Sequence, residues 1–264
     1  MKNYTLITGA TGGIGIELAT VFAKNNHNLI LTGTSSTKLE QLKKHLNSQY
    51  DVDIYTIDKD LTHPSSAKDI YDEVTNQPMN VDILCNNAGF GDYGLFHTLD
   101  LSKQSNMVEV NVQSLMKLTY LFLQDMIQKK HGKIMNTCST AAFQSGPFMA
   151  TYYASKAFVL SFSEALYKEV KDQGIHVMAL CPGPTKSHFF ERAGSDQRNN
   201  KLLKNFKVAD PKKLSEFAYK CLFKKRVIAI YGVKSKLLIF LERLLPRWMV
   251  RNSIYKLQKR KEYE

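Results

Sequence analysis

The stretch Tyr4-Thr5-Leu6-Ile7-Thr8-Gly9-Ala10-Thr11-Gly12-Gly13-Ile14-Gly15 decides the fold. Its first five residues form a short apolar run, and after the glycines Leu18, Val21 and Phe22 return at helical spacing. The order is therefore strand, glycine turn, helix. Glycines let the backbone turn tightly and approach a pyrophosphate, whose charge then rests on the free N–H groups at the helix start. The spacing is G-x-x-x-G-x-G, and the strand and helix on either side make it more than a chance turn.

Working outward, residues 28–32 read as a second strand. In a dinucleotide site its end should carry an acid about 20 residues after the glycines if the ribose has a free 2′-hydroxyl. No acid occurs between Glu17 and Glu40. Thr34, Ser35 and Lys38 stand there instead, and hydroxyls with one cation can accept a 2′-phosphate. The same residues also suit an ordinary polar helix cap. NADP(H) is the expected cofactor, with NAD(H) as the other option.

Residues 52–57 and 81–85 are the next strands, closing on Asp58-Lys59-Asp60-Leu61 and Asn86-Asn87-Ala88-Gly89. Pro64 suits the first turn of the helix between them. A long helix over 103–127 carries Asn111, and a strand over 132–138 ends at Ser139. A further helix bears Tyr152 and Lys156, followed by a strand over 175–180 and Cys181-Pro182-Gly183-Pro184-Thr185. Strands alternating with helices predict an α/β fold, a Rossmann-type doubly wound parallel sheet of about seven strands with ligands at the strand carboxyl ends. The expected organisation is one catalytic domain over 1–232 and a basic amphipathic extension over 233–264.

Tyr152 and Lys156 share one helix face. A phenol near its reference value of about 10 needs a downward shift to work near neutrality, and reaching about 7 takes roughly 4 kcal/mol. Lys156 is the expected source, helped by a second positive centre such as an oxidised nicotinamide. By itself the pair is better read as a core tyrosine beside a solvated lysine, and the rest of the chain changes that.

The 264 residues are 44% hydrophobic, which suits one large domain. Cys85, Cys138, Cys181 and Cys221 are widely spaced and the N-terminus is polar without a signal peptide, so a reducing cytoplasm is expected. The seven histidines show no ligand spacing, and no metal is expected. Of the net charge of +12, residues 224–264 hold 12 basic and 3 acidic side chains, so the body is nearly neutral. This argues against a nucleic-acid groove and gives the tail its own partners. In that tail Leu237, Leu238, Leu241, Leu244 and Leu245 alternate with Arg243, Arg247 and Arg251. The charges and Pro246 argue against a membrane span. Either the tail lies on an anionic membrane surface, or its leucines and Trp248 pack on the body or a second subunit, and the interruption at Pro246 favours packing.

Taken together, the T-G-x-x-x-G-x-G turn, N-N-A-G, the mid-helix Asn, the Ser, Y-x-x-x-K and P-G motifs resemble the short-chain dehydrogenase/reductase family over roughly residues 3–231. The G-P-F-M-A segment at 146–150, the C-P-G-P-T run and the basic extension are similar to a bacterial branch of it. The resemblance implies a tetrad of Asn111, Ser139, Tyr152 and Lys156, with Tyr152 selected over Tyr153. It implies cofactor contacts at Gly9, Thr11, Gly12, Gly13, Ile14 and Gly15, at Asp60 and Leu61 beside the adenine, at Asn87, Ala88 and Gly89 beside the ribose, and at Pro182, Gly183 and Thr185 beside the nicotinamide. Ser187 stands where the family often has a threonine.

The implied activity is reversible hydride transfer between NADP(H) and a carbonyl or alcohol. Tyr152 would donate the proton, Ser139 hold the substrate oxygen, Lys156 lower the phenol and hold the ribose, and Asn111 support a relay water. Phe90, Tyr93, Phe96, Phe143, Phe148, Met149, Phe189 and Phe190 are the expected apolar lining, with residues 191–207 as a cover. A homodimer or homotetramer through the helices bearing Asn111 and Tyr152 is implied by analogy. The alternatives are a cofactor-binding regulator without turnover and a membrane-associated lipid-metabolising reductase.

Overall fold

The structure is a computed structural model that describes residues 1–186 and 208–259. Ser187, Phe189, Phe190 and the expected cover over 191–207 lie outside the described residues. Each apolar run becomes a strand of one sheet: β1 (Lys2–Ile7), β2 (Asn28–Gly33), β3 (Ile54–Asp58), β4 (Met79–Asn86), β5 (Gly132–Thr137), β6 (Ile175–Cys181) and β7 (Ile228–Ile230). The order is β3-β2-β1-β4-β5-β6-β7 and every pair is parallel. This is the expected doubly wound Rossmann-type sheet. Parallel strands need both faces covered, and β6 accordingly is buried at every position.

On one face α1 (Gly13–Lys24), α2 (Ser36–Asn47) and α7 (Pro211–Phe223) bury Leu18, Phe22, Leu39, Leu46, Leu214 and Leu222 against the sheet. On the other, α3 (Ser66–Thr75), α5 (Leu115–Lys129) and α6 (Ala150–Val170) bury Ile70, Leu118, Phe122 and Leu166, and α4 (Leu101–Val108) buries Met107. Pro64 sits in the turn ahead of α3 and not inside its first turn. α7 starts with Pro211 at its first position, and Asp210 caps it by accepting from the Lys212 N–H at 2.8 Å.

The helix expected over 103–127 is divided: a π turn, Glu109–Ser114, joins α4 to α5 and carries Asn111. Helical periodicity cannot announce one extra residue per turn, and such turns are found mostly at functional sites. A buried polar chain ties the sheet to α5 and α6. Asn86 Nδ2 donates to Thr119 Oγ1 and Asn136 Oδ1, each at 2.9 Å, and Asn136 Nδ2 donates to Ser163 Oγ at 2.9 Å.

After β7, Gly232 turns with φ +90° into α8 (Val233–Leu244), and Pro246 separates this from α9 (Arg247–Gln258). Only Ile239, Ile254 and Gln258 of this hairpin are buried. Tyr93 Oη donates to the Gln258 carbonyl, and Gln258 Nε2 donates to Tyr153 Oη. Of the leucine stripe expected to pack on the body or on a second subunit, Leu238 lines a cavity at the strand carboxyl ends, while Leu237, Leu241, Leu244, Leu245 and Trp248 are exposed among the described residues.

Candidate active site

The sheet order reverses between β1 and β4, which leaves a crevice at their carboxyl ends. A cavity of about 1100 Å³ opens there and runs from α2 to the α8–α9 hairpin. At its centre Gly9 has φ +62°, and a Cβ would lie 2.9 Å from Ala88 Cα. A Cβ on Gly15 would lie 2.2 Å from the Gly9 carbonyl oxygen, so only glycine lets α1 approach the turn this closely. Thr8 Oγ1 accepts from the Asn87 and Ala88 N–H groups at 3.0 Å each, which fastens the turn to the end of β4.

α1 begins at this cavity with Gly12 as a cap that offers no side chain and with no acid in the first turn. Thr11, Gly12, Gly13 and Ile14 line the space. Its uncapped N–H groups and the positive end of the helix fit a pyrophosphate, as the dinucleotide expectation requires. Asp60, Leu61, Asn87, Ala88, Gly89, Pro182, Gly183 and Thr185 line it as well.

Of the three residues expected at the 2′-position, Thr34 and Lys38 line the cavity. Ser35 does not; it caps α2, accepting from the Lys38 N–H at 3.4 Å. A hydroxyl beside a helix start is drawn to the orphan N–H groups there. Gln41, His45 and Lys59 line this end too and were not anticipated. Asp58, opposite Gly33 in the β2–β3 register, accepts from the Ser36 N–H at 3.1 Å. An acid thus reaches the start of α2 from the neighbouring strand, where a scan along β2 cannot see it.

At the other end Lys156, only 4% exposed, donates from Nζ to the Thr137 carbonyl at 2.8 Å and stands 5.8 Å from the Tyr152 ring centroid. Ser139 Oγ accepts from the Ala141 N–H at 3.1 Å, capping the turn after β5, and hydrogen-bonds the Tyr152 phenol. Burial pushes the phenol up and outweighs that bond, which pulls it down. Burial also lowers Lys156. Burial is the largest cause of both shifts, and the lowering expected of Lys156 draws on a second positive centre such as an oxidised nicotinamide.

Asn111 meets these residues from behind and does not line the cavity. Its Nδ2 donates to the Phe90 carbonyl and to Ser155 Oγ, both at 3.0 Å, and its Oδ1 accepts from the Phe90 N–H at 3.1 Å. A Cβ on Gly89 would lie 2.9 Å from Asn111 Oδ1 and 3.4 Å from Lys156 Nζ, so this strand end is pressed against both.

Of the expected apolar lining, Phe90, Tyr93 and Met149 line the cavity. Phe96 is exposed, Phe148 is buried with its ring stacked on those of Tyr93 and Tyr255, and Phe143 lies under Arg243. The remaining wall is the hairpin, through Leu238, Ile239, Glu242, Ile254 and Leu257. Burial raises the Glu242 carboxyl. Spacings of three and four over 235, 238, 239 and 242 mark this inner face, and the leucine stripe drew attention away from it.

Residues 3–198 match the family model described as short chain dehydrogenase. The chain belongs to the short-chain dehydrogenase family. It is an oxidoreductase of that family, 31% identical to nodulation protein G of a Rhizobium species over 206 residues, 78% of this chain and 80% of that protein. It is also 31% identical to a bovine very-long-chain 3-oxoacyl-CoA reductase over 188 residues, 69% of this chain, although the match spans only 59% of that reductase. A short-chain dehydrogenase from Sphingobium yanoikuyae in complex with NADPH superposes with a TM-score of 0.82 at 26% identity, covering 92% of this chain and 93% of that one. A Burkholderia phymatum family member in complex with NAD has a TM-score of 0.83 at 21% identity, covering 95% and 96%, and shares the fold.

Proposed function

We propose that this oxidoreductase moves a hydride between NADP(H) and the carbonyl or alcohol carbon of a hydrophobic substrate. The observation that carries the reading is the meeting of Ser139, Tyr152 and Lys156, whose Nζ lies 5.8 Å from the tyrosine ring centroid, in a cavity continuous with the uncapped start of α1. A bound nicotinamide supplies or accepts the hydride. The chain supplies position and a proton. In the reducing direction Tyr152 Oη donates its proton to the substrate oxygen, and the Ser139 hydroxyl hydrogen-bonds that oxygen as charge develops. Lys156 spends one donor on Thr137 and keeps others for the ribose hydroxyls. Both Asn111 amide protons are committed to Phe90 and Ser155, so its side chain works by holding the Gly89–Phe90 segment.

Lys38 and Thr34 at the adenosine end support NADP(H), and the apolar walls support a ketone, aldehyde or acyl-type substrate. The relative named as a 3-oxoacyl-CoA reductase points the same way. Assembly as a dimer or tetramer belongs to the same proposal, and Leu101, Tyr120 and Phe158 are exposed on the helices that would meet. Tyr152→Phe tests the core of it: turnover of the best carbonyl compound in a panel should fall about a thousandfold while NADPH still binds by fluorescence titration. Tyr153→Phe should keep most activity, since that hydroxyl serves Gln258. Equal losses in the two variants would sink the assignment.

A further inference from the structure

The α8–α9 hairpin has two apolar faces, and only one has a partner among the described residues. Ser235, Leu238, Ile239 and Glu242 face the cavity. Val233, Leu237, Phe240, Leu241 and Leu244 recur at steps of four, three, one and three, which puts them on the opposite side of a helix with 3.6 residues per turn. All five are exposed, Phe240 at 59% and Leu244 at 68%. The same periodicity sets Lys234 on one flank of that stripe and Lys236 and Arg243 on the other. Beyond Pro246 the exposed Trp248 and Met249 continue the surface between Arg247 and Arg251.

Charge decides what can cover this face. Residues 233–259 hold seven basic side chains and one acid, Glu242, which is half-buried at the cavity. A two-fold interface would lay the patch on its own copy and set cation against cation, with no acid among residues 233–259 outside the cavity. An apolar stripe flanked by cations, with a tryptophan at its edge, is instead complementary to an anionic surface that has an apolar interior. No helix among the described residues is long and apolar enough to cross a membrane, so the contact is with the surface.

We infer that the outer face of the α8–α9 hairpin docks the enzyme onto anionic phospholipid bilayers. The apolar stripe enters the headgroup boundary and the flanking lysines and arginines meet lipid phosphates. Because the inner face of the same helix lines the cavity, docking holds the substrate end about one helix diameter, ~10 Å, from the lipid.

The full chain would be sedimented with vesicles of phosphatidylglycerol and phosphatidylcholine in equal parts, and with phosphatidylcholine alone, at low and high salt. Binding to the mixed vesicles is expected, weakened about tenfold or more by high salt or by removing the anionic lipid. Phe240→Ser with Leu244→Ser, and separately Lys236→Glu with Arg247→Glu, should each weaken it about tenfold or more. These side chains are exposed, so thermal unfolding and NADPH binding should match the parent chain, and the charge pair serves should the serine pair misfold. The readout does not involve turnover and is separate from the catalytic assignment. Absence of the parent chain from the anionic vesicle pellet, or equal binding by both variants, overturns the inference. So does a concentration-dependent dimer that the serine pair abolishes without vesicle binding by the parent, which would give the face to a second copy.

Discussion

Tyr152 is the residue whose environment matters most. Burial holds its proton on, and the hydrogen bond with Ser139 opposes this. Reduction needs the phenol and oxidation needs the phenolate, so the two directions respond oppositely to pH. With the phenol's pKa raised, reduction should be flat through neutrality, while alcohol oxidation should climb as pH rises toward that value. Ser139→Ala removes the lowering contact, so the oxidation limb should move to higher pH, with a loss of about a hundredfold in kcat/KM at neutral pH. Rate profiles in both directions check this, and a limb that stays in place or moves to lower pH would show that Ser139 does not tune the phenol. Tyr153, one position away, is turned into a structural role by its contact with Gln258 and by Gly146, where a Cβ would lie 2.2 Å from its ring.

At the scale of elements, the proposed preference for NADP(H) is tested at the turn between β2 and α2. Gly33→Asp is the obvious way to favour NAD(H), but a Cβ there would lie 3.1 Å from Thr11 Oγ1 and disturb the glycine turn as well. Lys38→Ala is cleaner, since Lys38 lines the cavity from the first turn of α2. It should lower kcat/KM for NADPH about tenfold and leave NADH nearly unchanged, the loss expected of one charge-assisted phosphate contact. A parent enzyme that prefers NADH would refute the assignment, and Asp58 at the start of α2 would then be the acid to examine. The glycine turn, the N-N-A-G strand end and the Tyr-x-x-x-Lys helix were all readable because each depends on local spacing. The π turn that carries Asn111 was not, because it interrupts the helical period without leaving a residue signature.

Across the whole molecule, the cavity is completed by the chain's last described helices, far in sequence from the glycine turn. Leu238 lines it while keeping 38% of its surface exposed, so Leu238→Ala should cost little stability. It should lower kcat/KM for the best apolar ketone roughly tenfold, the scale of a lost hydrocarbon contact in a specificity pocket. The KM for NADPH should not change, because the adenosine end is walled by other elements. Parallel changes in both constants would mean that the hairpin acts on the whole fold and not on the substrate wall.

The sequence by itself determined the strand and helix alternation, the glycine turn, the family, and the gathering of Ser139, Tyr152 and Lys156. The alternation follows from apolar runs and the 3.6-residue period, and the family and the three side chains from the resemblance carried by motifs at strand ends, which a parallel sheet collects on one edge. Only the tertiary structure decided that Ser35 caps a helix, that Asp58 reaches α2 from the next strand, and that burial dominates the Tyr152 phenol. It also decided that the basic tail is at once a cavity wall and an exposed apolar face. Hydrogen-bond competition, cross-strand neighbours and desolvation all depend on groups distant in the chain, and no local pattern of residues encodes them.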